Sequence, residues 1–119
     1  MKKYLWLAAL GIVVVLVFIL LKGKGASPEG IILYYGDTCP HCEVVDAFIR
    51  ENKMHEKIVF TEKEVFQDKK NAYELGKKAT LCGLSTDQIV VPLLWTGTGC
   101  LIGEQDIEQF LTVRSLPRL

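Results

Sequence analysis

Hydrophobic and polar positions divide the chain into one long apolar run followed by short alternating blocks. From Tyr4 to Leu21 the sequence YLWLAALGIVVVLVFILL carries no charge, a length that suits a single membrane-spanning helix. A cleaved signal peptide is the competing reading. The run exceeds the roughly 7–15 residues of a signal-peptide core, and Lys22 to Ser27 offers no A-x-A-like cleavage site. The expectation is an uncleaved anchor over residues 1–21. Residues 22–30, KGKGASPEG, read as a flexible linker.

Beyond the linker, strand-like and helix-like blocks alternate. Ile31–Tyr35 is a short run of β-branched and aromatic residues, which predicts a buried strand. Between Glu43 and Asn52 the residues Val44, Val45, Phe48 and Ile49 fall on one face, predicting a helix with one buried side. Ile58–Thr61 predicts a second strand. Asp68 to Ala79 predicts a second helix whose stripe, Ala72, Leu75, Gly76 and Ala79, is extended by Cys82. Ile89–Thr96 and Cys100–Ile102, joined by Gly97-Thr98-Gly99, read as a β-hairpin. Glu104 to Thr112 predicts a last helix with Ile107, Phe110 and Leu111 inward, and residues 113–119 an irregular tail. Residues 31–112 thus form one small α/β domain in the order β-α-β-α-β-β-α. The first two strands suit a right-handed parallel crossover, and the hairpin adds antiparallel strands. Pro92 cannot donate to a ladder, and a cis bond at the start of its strand resolves the conflict.

Charge narrows the field of functions. The 119 residues carry 14 basic and 14 acidic side chains with no basic run, so nucleic-acid binding has no electrostatic support. Lys2 and Lys3 face Lys22 and Lys24 across the apolar span. The small surplus from the terminal amine favours a cytoplasmic N-terminus and an extracytoplasmic domain.

The chemistry concentrates in Cys39-Pro40-His41-Cys42, a C-x-x-C pair between a strand and a helix. A thiolate at a helix start is stabilised by unpaired N–H groups and the positive end of the helix dipole. Cys39 is the candidate nucleophile and Cys42 the resolving thiol. Pro40 fits the first helical turn, where a missing N–H costs nothing. A protonated His41 would favour the Cys39 thiolate and so make the disulfide more oxidising. His55 sits in a polar turn with no assigned role. A zinc site would need two further ligands at finger-like spacing, and Cys82 and Cys100 form no second C-x-x-C. No metal or cofactor is expected. Cys82 and Cys100 are either small buried hydrophobes or a disulfide clamping the hairpin to a helix end. The unpaired state is favoured, because the last strand should start far from the active-site edge and Cys82 nearer it.

Over roughly residues 30–112 the chain resembles a glutaredoxin-sized member of the thioredoxin superfamily, with a DsbA-like C-P-H-C tetrad. Val91-Pro92 is similar to that family's valine–cis-proline pair, and Gly103 stands where glutaredoxins carry a glycine before their final helix. The resemblance implies a thioredoxin-like, minimal glutaredoxin-type fold with a mixed four-stranded sheet flanked by helices and preceded here by one transmembrane helix. It also implies that the backbone of Val91 before Pro92 docks an extended substrate. Three positions depart from the pattern. Gly36 and Val90 replace the lysine and threonine that glutaredoxins use toward glutathione, and Leu33 replaces a buried acid.

The expected activity is thiol–disulfide exchange with protein thiols in the oxidising direction, by a single-pass membrane protein. A quinone-linked membrane redox partner is the candidate reoxidant. Two alternatives stand beside it: a tethered reductase, isomerase or glutaredoxin-like protein, and a metal-delivery module using Cys39, His41 and Cys42.

Overall fold

The computed structural model describes residues 1–22 and 30–117; the expected linker lies almost wholly outside the described residues. Helix α1, Lys2–Lys22, is apolar on every side and long enough to cross a membrane. Its described side chains are exposed.

The domain is built from β1 (Ile31–Tyr35), α2 (Pro40–Glu51), α3 (Met54–Lys57), β2 (Phe60–Glu64), α4 (Lys69–Leu81), β3 (Leu93–Trp95), β4 (Cys100–Ile102) and α5 (Glu104–Ser115). A 3-10 turn, Thr86–Gln88, precedes β3. The four strands form one mixed sheet in the order β2-β1-β3-β4. β1 runs parallel to β2 and antiparallel to β3, and β3 is antiparallel to β4. The mixed α/β architecture agrees with the sequence reading.

Alternation along β1 supplies two cores. Ile31 and Leu33 point to one face, where they meet Val45 and Ile49 of α2, Met54 of α3, Leu94 of β3, and Ile107 and Leu111 of α5. Ile32 and Tyr34 point to the other, against Val65, Leu75, Leu93 and Trp95. Tyr34 is fully buried, and its hydroxyl donates to Glu74 Oε1 at 2.7 Å. Lys63 Nζ reaches both oxygens of the same carboxylate at 2.7 and 2.8 Å. The buried phenol is therefore satisfied, at the cost of one acid that a lysine neutralises.

Several boundaries differ from the expectations. β2 begins at Phe60, not Ile58, because Met54–Lys57 forms a helical turn that consumes the preceding chain and leaves Val59 94% exposed. As an edge strand, β2 carries Thr61, Glu62 and Lys63, which disguise it as a loop. The strand expected over Ile89–Thr96 shrinks to Leu93–Trp95; Pro92, just before it, has no N–H to give to the ladder. α5 runs through Ser115, so the tail is helical further than expected. Val44 and Ala72 were expected on buried helix faces and are exposed; Leu75 and Ala79 carry the α4 contact.

Cys82 and Cys100 are disulfide-bonded, with α-carbons 6.0 Å apart, which corrects the expectation that they lie at opposite edges. The reason is direction. α4 starts at the edge where β2 ends and runs back against it, so its C-cap, Cys82, lies at the far edge. Cys100 is there too, paired with Trp95, which pairs in turn with Ile32 near the start of β1. The bond closes a loop of 18 positions in sequence. Replacing both cysteines by alanine is expected to cost about 3 kcal/mol in urea unfolding of the full chain in micelles. An unchanged midpoint would contradict a structural role for this bond.

Candidate active site

Sheet direction gathers the site. β1 and β2 end at the same edge, so the loops leading into α2 and α4 meet there. β3 enters from this edge, where Leu93 pairs with Tyr34, and β4 returns to it, where Ile102 pairs with Leu93. The start of α2, the approach to β3 and the start of α5 therefore converge, though they are far apart in sequence.

Cys39 is the N-cap of α2, in extended conformation, with Pro40 at the first helical position. The Cys42 backbone N–H donates to Cys39 Sγ at 3.2 Å, and Glu43 N–H donates to the Cys39 carbonyl at 3.0 Å. The sulfur thus takes the place that a serine or aspartate oxygen takes at an ordinary cap. Cys39 and Cys42 are disulfide-bonded, with α-carbons 5.1 Å apart, and both are buried. This pair is of a redox type, consistent with oxidoreductase chemistry. Among the described residues, no group of three or more His, Cys, Asp and Glu side chains is placed to hold a metal ion.

The Val91–Pro92 bond is cis, as the awkward proline led one to expect. Pro92 is buried, and the Val91 carbonyl oxygen lies 3.8 Å from Cys39 Sγ. Gly103 N–H donates to the Pro92 carbonyl at 3.1 Å, which ties this loop to the start of α5. Gly103 has φ +89°, a region that side-chain-bearing residues seldom enter, so glycine is required there. The structure thereby brings Cys39, Pro40, His41, Cys42, Val91 and Pro92 to one edge.

Two residues that the sequence reading passed over shape this edge. Glu104, at the start of α5, has Oε2 3.3 Å from His41 Nδ1. Glu64, the last residue of β2, is a hub for the loops. Its Oε1 accepts from the N–H groups of Asp37 and Phe66 at 3.2 and 2.6 Å, and its Oε2 from those of Gln67 and Asp68 at 2.8 and 3.2 Å. Desolvation pushes this carboxyl up, but the four N–H donors together outweigh it and hold the group below its ordinary range. One carboxylate thus joins the loop before Cys39 to the loop before α4. Neither residue belongs to a motif, so only the fold reveals them.

Gly36 and Leu33 now have physical contexts. A Cβ at Gly36 would overlap the Phe66 ring, so no longer side chain fits unless that ring swings away. Leu33 is buried and lines a cleft of about 270 Å³ beneath Cys42. The same cleft carries Asp37, Glu43, Asp46 and Glu62. Glu62 stands directly across from Leu33 in the β1–β2 register. Unlike Leu33, Glu62 is exposed on the edge strand, so no buried acid stands at this point of the cleft. Burial raises the Tyr35 phenol in this cleft, and Glu62, Glu64, Asp37 and Asp46 raise it further. His55, read as having no role, stacks on Phe60 at 4.2 Å and pairs with Glu62 at 3.1 Å.

Immediately before Cys39, Thr38 adopts φ +64°. A β-branched residue in the left-handed region is strained by about 1–2 kcal/mol. No protein-family model matches the chain, and no curated protein matches it.

Glu64 yields a pH test. Its folded value lies below the roughly 4.3 of an unfolded glutamate. Its stabilisation is therefore complete above that value and is lost as the pH falls through the lower folded one. Glu64→Gln places an amide NH₂ against backbone donors. The variant is expected to be less stable at pH 7 and to show a flatter stability–pH curve below about pH 4.3. Superimposable denaturation curves for the two proteins from pH 3 to pH 7 would rule out the hub.

Proposed function

We propose that this chain is a membrane-anchored thiol–disulfide oxidoreductase of thioredoxin-like, minimal glutaredoxin-type fold, exchanging disulfides with protein thiols through Cys39 and Cys42. One observation carries the reading: a disulfide whose first sulfur caps a helix and faces the carbonyl of the residue before a cis-proline. The parallel β1–β2 pair, the antiparallel hairpin and the placement of helices on both sheet faces are compatible with that fold.

A substrate thiolate attacks Cys39 Sγ. A substrate–Cys39 bond forms as the Cys39–Cys42 bond breaks, and Cys42 leaves with the electron pair and takes up a proton. A second substrate thiolate attacks the substrate sulfur of this mixed disulfide and expels Cys39 as a thiolate. Two substrate thiols become one disulfide, the enzyme pair gains two electrons, and the second proton goes to solvent. Cys39 leaves well because the Cys42 N–H and the helix dipole stabilise its thiolate. Pro40 shapes the first turn, and His41 adds positive charge when protonated. The Val91 backbone docks an extended substrate by strand-like hydrogen bonds.

The oxidising direction rests on the stabilised reduced form, since a stable thiolate makes the disulfide a stronger oxidant. A domain outside the cytoplasm rests on the small positive-inside bias and on the Cys82–Cys100 bond, which persists most readily in an oxidising compartment. Reoxidation requires an acceptor of two electrons, and a quinone-linked membrane partner fits a tethered enzyme.

The Cys42→Ser variant is expected to accumulate mixed disulfides through Cys39, and Cys39→Ser to lose exchange entirely, as read by mass spectrometry of trapped adducts. Adducts forming on Cys42 of a Cys39→Ser protein instead would reverse the roles. The reduction potential of the pair separates the directions: an oxidase sits nearer about −120 mV and a reductase nearer about −270 mV. Membrane fractionation and protease accessibility of intact cells test the anchor. A soluble product beginning near residue 26 would refute it.

A further inference from the structure

The Cys39–Cys42 pair lies between two openings, and both are acidic. The smaller is the cleft with Asp37, Glu43, Asp46 and Glu62. The larger is a groove of about 880 Å³ between the starts of α2 and α5, with Val91 and Pro92 on its wall. Glu104, Asp106 and Glu108 line this groove, and no Lys or Arg does. His41 is its one basic side chain, and Glu104 is already its partner. Asp46 and Glu62 of the smaller cleft are matched by Arg50 and His55. Among the described residues, no ion pair engages Asp106 or Glu108.

The chain is neutral overall, with 14 charges of each sign, so this acidity is balanced elsewhere. Lys69, Lys70, Lys77 and Lys78 all lie on α4, against the opposite face of the sheet from α2 and α5. Acids in the first turns of α2 and α5 complement the helix dipoles. That accounts for Glu43, Glu104 and Asp106 individually, but not for Asp37 or Glu108, nor for the absence of lysine and arginine from the groove. Between the acids stand Val44 and Val90, each about half exposed, at 47% and 49%.

We infer that the substrates are cationic: polypeptide segments in which lysine or arginine flanks the reacting cysteine, with an aliphatic neighbour resting on Val44 and Val90. The inference rests on the exchange reaction proposed above and adds the substrate class. Opposite charge raises the encounter rate and orients the approaching thiol, and salt weakens both effects. The same field disfavours anionic thiols.

The test uses the full chain in neutral detergent micelles, oxidised at Cys39–Cys42. Two single-cysteine peptides differ only in having lysines or glutamates beside the cysteine. Each second-order rate is divided by the same peptide's rate with a small uncharged disulfide, which removes differences in thiol reactivity. The lysine peptide is expected to be at least ~10-fold faster at low salt, with the ratio falling toward unity at high salt. Asp106→Asn combined with Glu108→Gln is expected to narrow the low-salt ratio. Equal normalised rates at low salt, or a ratio that salt or these substitutions leave unmoved, would overturn the inference while leaving exchange intact. Absence of reaction with either peptide would overturn the exchange reading itself, and this inference with it.

Discussion

A single hydrogen bond links the fold to the chemistry: the N–H of Cys42 directed at the sulfur of Cys39. It exists only because α2 begins at Pro40, so that Cys39 becomes the cap and Cys42 the third helical residue. A helix starting one residue earlier or later would bury this sulfur in a turn or leave it in the loop, and no amide would face it. α2 is held at that register by Val45 and Ile49, which are almost completely buried against Leu33 and Leu94. Burial of such side chains is worth about 1.5–3 kcal/mol each, enough to fix the first turn and with it the sulfur.

The remainder of the site follows from strand direction. Parallel pairing of β1 with β2 and antiparallel pairing of β1 with β3 bring three loops to one edge. Glu64 then joins two of those loops through four backbone donors. Gly103 ties the third loop to α5. The Cys82–Cys100 bond holds the opposite edge. Division of labour between the two disulfides is therefore spatial: one faces the converging loops, the other fastens the end of α4 to the hairpin.

Much of this was legible in the sequence where a local rule governs. The C-x-x-C pair between a strand and a helix gave the cap, and Pro92 in an apolar run gave the cis bond. The apolar faces of α5 and the hairpin turn followed from period and glycine placement. β2 was misplaced because this edge strand is as polar as a loop, and the helical turn at Met54–Lys57 has no cap signal: its N-cap, Lys53, adopts a left-handed conformation. The Cys82–Cys100 bond was misjudged because it depends on where α4 ends relative to β4, a tertiary property. Glu64 and Glu104 were invisible for the same reason, since Glu64 reaches Asp37, 27 positions away in sequence, and Glu104 reaches His41, 63 positions away.

The central claim is that the start of α2 makes Cys39 an unusually stable thiolate. Thiolate absorbance of the reduced protein, followed against pH with Cys42 replaced by alanine and with Cys39 replaced in a matched control, measures this directly. The account requires Cys39 to ionise well below the roughly 8.5 of a free cysteine, and Cys42 not to do so. A Cys39 transition at or above 8.5, or a lower one for Cys42, would contradict it.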